Sequence, residues 1–240
     1  MLNKTIHDFR FMLPPLSPNL EGDVLVLDKP IKCTSFDLVN RVKNYLRKTC
    51  KVKIKVGHAG TLDPLASGVL IICIGSFTKK IAHYQAQEKE YTGTFTLGAT
   101  TLSFDLEQPV DARFPYEHIT LDLAQQIAQT FVGEIAQVPP IYSAVRIAGR
   151  RAFNYARNGQ EVEIEPKNIT IYSFEITRFA LPEIDFKIVC SKGTYIRSLA
   201  RDFGLALNSG AHLSALRRTR IGEFRVEEAI QPIKLDLPET

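Results

Sequence analysis

Apolar residues recur along this chain at two spacings, and each predicts a different kind of element. Leu38, Val39, Val42, Tyr45 and Leu46 fall at helical spacing, so 36–48 is an amphipathic helix, with a capping signal in Thr34-Ser35-Phe36-Asp37. Leu121, Ala124, Ile127 and Phe131 mark a second helix, closed by Gly133. Ile196, Leu199, Ala200, Phe203 and Leu207 mark a third, with Thr194 as its expected N-cap, and a short helix is expected over 78–85.

The strand signals are of three kinds. Residues 22–27 read as a buried strand ending at Asp28-Lys29-Pro30, and the unbroken apolar run 69–74 reads as a central strand. From Tyr91 the chain alternates: Thr92, Thr94 and Thr96 face one way, and Tyr91, Gly93, Phe95 and Leu97 the other. Residues 51–56 alternate lysine with β-branched residues, which predicts a strand with one apolar and one basic face; such lysines are ordinary on a solvated strand. Two more strands are expected near 168–178 and 184–191, whereas 100–118 reads as a partly acidic loop.

Composition narrows the class. With 240 residues, 45% of them hydrophobic, the chain can bury one large core, with or without a small accessory lobe. A net charge of +4 and a pI near 8.8 permit nucleic acid as a partner without establishing it. Cys33, Cys50, Cys73 and Cys190 are scattered, with no CxxC pair, so neither a zinc site nor a disulfide framework is expected. No signal peptide and no run of membrane-spanning length is visible, and a reduced, cytoplasmic compartment fits best. Residues 1–20 read as a Pro-punctuated surface arm and 231–240 as a tail on the surface.

The chemistry concentrates in Gly57-His58-Ala59-Gly60-Thr61-Leu62-Asp63-Pro64-Leu65-Ala66-Ser67-Gly68-Val69-Leu70. Pro64 biases Asp63 toward an extended backbone, and Gly57 and Gly60 allow sharp turns and close approach of a ligand. Taken alone, Asp-Pro is more often a helix start than a catalytic site. Further along, Arg146, Arg150, Arg151 and Arg157 interleave with Tyr142, Phe153 and Tyr155 with no acid among them, a pattern suited equally to RNA and to a solvated basic helix. Arg197 falls in the first turn of its helix, where the dipole disfavours a cation, so a nearby anion is expected; Asp63 is the candidate. Arg217, Arg218 and Arg220 form a second basic patch.

Several separated stretches, GHAGTLDPLASGVL, the Lys89-Glu90-Tyr91 element, VPPIYSAVRIAGRRAF, SKGTYIRSLA and AHLSALRRTRIG, together resemble the TruB family of tRNA pseudouridine synthases over residues 20–230. DKPIKCTS resembles the family's first motif, with Lys32 standing where a glycine is expected. The resemblance implies an α+β fold, a mixed and largely antiparallel sheet flanked by helices with an RNA-binding cleft. It implies a catalytic domain over 21–230, with 138–159 as an insertion that clasps RNA. The implied activity is isomerisation of uridine 55 in the tRNA T-loop, by base flipping, glycosidic cleavage and rejoining through carbon, without cofactor or metal.

Carried over by residue, Asp63 is the implied catalytic carboxylate, with His58, Tyr91, Tyr195, Arg197, Leu216 and Lys29 binding substrate. Arg146, Arg150, Arg151, Arg217 and Arg218 are implied contacts to the RNA backbone. The partner is the tRNA T-arm; no membrane and no obligate protein partner is implied, and a monomer is expected. Many relatives continue into a further RNA-binding domain of the PUA type, for which too few residues follow Glu228 here. The competing readings are a non-catalytic tRNA-binding or folding module and a guide-RNA-dependent relative. A phosphate-loop enzyme is excluded, because 57–68 lacks the Gly-Lys-Ser/Thr ending.

Overall fold

A computed structural model describes residues 9–13, 21–49, 51, 53–143, 145–147, 149–157 and 162–234. Most of the expected arm and tail, together with Cys50, lies outside the described residues. The chain divides into two compact units, one formed by 1–90 and 217–240, the other by 91–216. The strands Lys89–Leu97 and Ala211–Ile221 each begin in one unit and end in the other.

In the first unit, strand Gly22–Lys29 pairs antiparallel with Ser67–Gly75 over its whole length. The latter also takes the short strand Val56–His58 antiparallel, and it lies parallel to the end of Ala211–Ile221 through Ser67 opposite Arg217 and Gly68 opposite Arg218. The unbroken apolar run of Ser67–Gly75 follows from burial on both faces. Leu70, Ile72 and Ile74 pack with Leu38, Val39, Val42 and Leu46 of helix Ser35–Thr49. Val69, Ile71 and Cys73 pack with Tyr84, Ile221 and Val226. The helix starts with a reciprocal cap: Asp37 N–H donates to Thr34 Oγ1 at 3.1 Å while Thr34 N–H donates to the Asp37 carboxylate at 2.9 Å.

The strand expected over 51–56 is shorter than its alternation predicts, running only Val56–His58. A strand needs a partner, and its partner ends at Gly75, whose φ of 59° turns the backbone away immediately after Ile74 pairs with Val56. Alternation of side chains cannot report where the neighbouring strand stops.

The second unit orders its strands Ala211–Ile221, Lys89–Leu97, Glu183–Cys190, Lys167–Ala180 and Gly133–Gln137, with Lys167–Ala180 antiparallel to both Glu183–Cys190 and Gly133–Gln137. Phe95, Phe174, Phe186 and Phe203 fill its core, with Phe95 and Phe186 rings 4.2 Å apart. Helix Leu121–Thr130 is capped by Thr120, whose hydroxyl accepts from Leu123 N–H at 3.2 Å. The segment expected as loop over 100–118 instead contains the paired strands Ala99–Thr101 and Val110–Arg113. The architecture is α+β, with antiparallel pairing dominant. Among the described residues no helix is long and apolar enough to cross a membrane.

Candidate active site

Asp63 sits on a turn rather than a helix start: Ala66 N–H donates to Asp63 O at 3.1 Å across Pro64-Leu65, and no helix follows. The carboxylate-bearing residue is half-buried. Gly57 lies within a strand, and the sharp backbone positions are Gly60 and Gly68, with φ of 100° and 109°.

Four residues, Ser35, Lys32, Lys29 and Arg218, brace this loop. Ser35 Oγ accepts from Leu62 N–H at 2.9 Å and lies 3.1 Å from Leu62 O, to which it donates. Lys32 N–H donates to Pro64 O at 2.7 Å. Lys32 holds φ at 60°, so a turn where a glycine is expected is kept by a lysine in the left-handed region.

Lys29 is fully buried, and its ammonium donates to Cys33 O at 2.6 Å and Pro30 O at 2.9 Å, and lies 3.5 Å from Pro64 O. Burial pulls its pKa down to about 8, while Cys33 and the Asp63 carboxylate pull the other way. Expected as a substrate contact, it is placed instead to hold the Pro30–Cys33 turn against the Asp63 turn.

Arg218 is 1% exposed, the largest fully buried side chain. Its guanidinium donates to Val69 O at 2.8 Å, Gly60 O at 3.1 Å and Thr61 O at 3.3 Å. The resemblance implies an RNA phosphate contact here; the structure turns this arginine to the carbonyls around the Asp63 turn, because its strand runs beside Ser67–Gly75. Arg217 is partly exposed and forms a two-point ion pair with Asp28 at 2.6 and 3.1 Å. His58 is half-buried, and burial, followed by the Arg218 cation, holds its imidazole below the usual pKa.

In the second unit, Tyr91 is 8% exposed at the start of its strand, and Leu216 is half-buried. Helix Ile196–Ala206 begins at Tyr195, not at the expected Thr194, whose hydroxyl donates to Ser191 O at 3.0 Å. The capping group comes from elsewhere: buried Gln137 accepts from Tyr195 N–H at 2.8 Å and donates to Tyr195 O at 3.1 Å. Arg197 is 4% exposed in the first turn, donating to Tyr142 O at 3.1 Å and Ser103 O at 3.3 Å. The anion its position demands is supplied in part by Asp105, 3.6 Å from Arg197 Nε and itself held by Ser103 Oγ at 2.5 Å.

Asp105 and Gln137 were not legible as site residues. Asp105 lies in a segment that reads as loop, and nothing local marks it as buried. Gln137 ends a strand 58 positions from its partner. Arg150 is exposed on the short strand Arg150–Arg151, which pairs with Arg146–Ile147; the side chains of Arg146 and Arg151 lie outside the described residues. Among the described residues no group of three or more His, Cys, Asp or Glu is placed to hold a metal.

Known families match in succession along the chain. Residues 47–196 match the TruB family pseudouridylate synthase (N terminal domain), and 197–235 match the tRNA pseudouridylate synthase B C-terminal domain. The chain is similar to the tRNA pseudouridine synthase B of Flavobacterium johnsoniae, 58% identical over 213 residues, covering 88% of this chain and 93% of that protein. The Phocaeicola vulgatus protein of the same name is 54% identical over 211 residues, covering 88% and 90%. Among solved structures, a Cbf5-Nop10-Gar1 complex aligns with a TM-score of 0.65 at 28% identity, over 93% of this chain and 60% of that chain. These matches define the class as a pseudouridine synthase, an isomerase. Within that class the chain belongs to the TruB family.

Proposed function

We propose that this protein isomerises uridine 55 in the T-loop of tRNA to pseudouridine, with Asp63 as the catalytic carboxylate. The observation that carries the assignment of Asp63 is the bracing of its turn: Ser35, Lys29, the Lys32 amide and Arg218 all bind the loop that presents it. A carboxylate on a loop held this firmly is pre-organised for one geometry. The names of the relatives, tRNA pseudouridine synthase B, support the substrate.

The reaction conserves atoms and electrons. The bond from uracil N1 to C1′ breaks, the base rotates, C5 bonds to C1′, and the proton leaving C5 is balanced by one gained at N1. An ionised carboxylate supports the first step, and exclusion of water keeps the detached base in place. The uridine must leave its stack first, at a cost of a few kcal/mol, which aromatic packing and phosphate contacts offset. Tyr91, Tyr195 and Leu216 are the residues proposed to receive the base, with Arg197 and His58 binding beside it. Arg146, Arg150 and Arg151 are proposed phosphate contacts. A monomer acting in the cytoplasm, without an obligate protein partner, completes the proposal.

The test is pseudouridine mapping on an unmodified tRNA transcript and on its isolated T-arm. Product at the T-loop uridine in both supports the substrate and the site. Tight binding with no product indicates an RNA-folding module instead.

A further inference from the structure

Positive charge in this chain is concentrated in one stretch that the catalytic reading leaves unused. Between Pro30 and Leu62, eight lysines and arginines face a single acid, Asp37. This local excess of seven is larger than the net +4 of the whole chain, so the remainder carries net negative formal charge. The one acid is occupied by the cap it forms with Thr34. Seven of the eight cations are exposed, and none of these seven forms an ion pair among the described residues.

These exposed cations follow one stretch of chain, a stripe whose middle is one face of the helix. Phe36, Asn40, Lys43, Asn44 and Arg47 repeat at helical spacing on the side of Ser35–Thr49 opposite its buried Leu38, Val39, Val42 and Leu46. Phe36 is 60% exposed at the N-terminal end, with Lys43 Nζ 5.9 Å from its ring, and Ile31, five residues earlier, is 57% exposed. Beyond the helix, Lys51, Lys53 and Lys55 are exposed in turn. The stripe begins at Lys32, whose N–H binds Pro64 next to Asp63, and a helix of 15 residues carries it about 22 Å further.

We infer that this stripe is a second RNA-binding surface, which holds the phosphate backbone of the substrate RNA outside the stem-loop that enters the active site. The inference rests on the proposed RNA substrate. An exposed aromatic among cations without ion pairs is the chemistry that binds RNA: cations release counterions from phosphates, and an aromatic face stacks on a base. A protein partner of acidic character would be served by the charge, but it gives no use to Phe36 at the end nearest Asp63.

The experiment compares the native protein with Lys43→Gln/Arg47→Gln/Lys53→Gln/Lys55→Gln and, separately, with Phe36→Ala. Dissociation constants are measured against salt for a full-length tRNA transcript and for its isolated T-arm. All five positions are exposed, and unfolding curves check that the fold is kept. The expected result is a roughly tenfold or greater loss for the fourfold variant on full-length RNA at low salt, with the salt slope reduced by about 2–4. T-arm binding and turnover stay unchanged, and Phe36→Ala weakens full-length binding with the salt slope unaltered. Unchanged affinity and slope on full-length RNA overturn the inference, and so does an equal loss on the T-arm alone. Failure of the native protein to make pseudouridine in either RNA counts against the functional proposal instead.

Discussion

The guanidinium of Arg218 donates to the carbonyl of Gly60 at 3.1 Å, so the strand Ala211–Ile221 holds the loop of Asp63 from the inside. The same residue's backbone stands where a Cβ on Gly68 would be, with its carbonyl oxygen 2.1 Å from that position. Arg218→Met leaves the carbonyls of Val69, Gly60 and Thr61, the first of them buried, without this donor and is expected to cost about 3 kcal/mol. Urea unfolding measures this; a loss below 1 kcal/mol would remove the brace from the account. Arg218→Lys, with fewer donors, is expected to recover only part of the stability.

Lys32 occupies a left-handed backbone position at no evident gain to its side chain, which is exposed. Lys32→Gly is expected to stabilise the protein by about 0.5–1 kcal/mol, the relief of left-handed strain less the entropy of a freer unfolded chain. Lys32→Val, with a branched Cβ, is expected to destabilise. Thermal unfolding of the two variants against the native protein gives opposite signs if the turn is as described.

Lys29 is a buried base whose pKa falls from 10.5 to about 8 on folding. Between these values the unfolded chain holds more protons than the folded one, so stability rises with pH across that window and levels off outside it. The slope is expected to approach about 1 kcal/mol per pH unit near pH 9. Urea unfolding at pH 7.5 and 9.5 reads it out, with Lys29→Met as the control that lacks the ionisation. Equal pH dependence in the two proteins would show that the ammonium is not desolvated on folding.

Gln137 fixes both backbone polar groups of Tyr195 and is itself buried. Gln137→Met keeps the shape and removes both bonds, at a cost of about 1–3 kcal/mol. Because Tyr195 is a proposed base-pocket residue, turnover is expected to fall about tenfold while RNA affinity holds, an energy within the same range. Gln137→Glu, which still accepts from Tyr195 N–H, is expected to lie between. A fall in affinity alone, with turnover per bound complex intact, would assign Gln137 to folding only.

Much of this was readable from the residues. The helix over 36–48 and the central strand over 69–74 follow from spacing that tertiary context had no reason to override. At the Asp63 loop Gly60 and Pro64 state backbone needs directly, but Gly57, which reads as a turn, lies within a strand, and it is the whole run and its resemblance that single the loop out. What escaped were contacts between distant segments. The first turn at Arg197 announced a need for an anion, yet Asp105 could be found only once its loop was folded. Thr194 looked like a cap because caps are local, and Gln137 reached in from another strand to take that role. Arg218 reads as a surface cation because charge alone does not reveal that a strand will bury it beside the carbonyls of Gly60, Thr61 and Val69.

The most direct measurement is single-turnover formation of pseudouridine in a tRNA transcript by the native protein and by Asp63→Asn, with RNA binding measured on the same samples. Product at the T-loop uridine is expected for the native protein, and for the variant a binding curve near native with no detectable product. Turnover by Asp63→Asn at close to the native rate would contradict the assignment of Asp63.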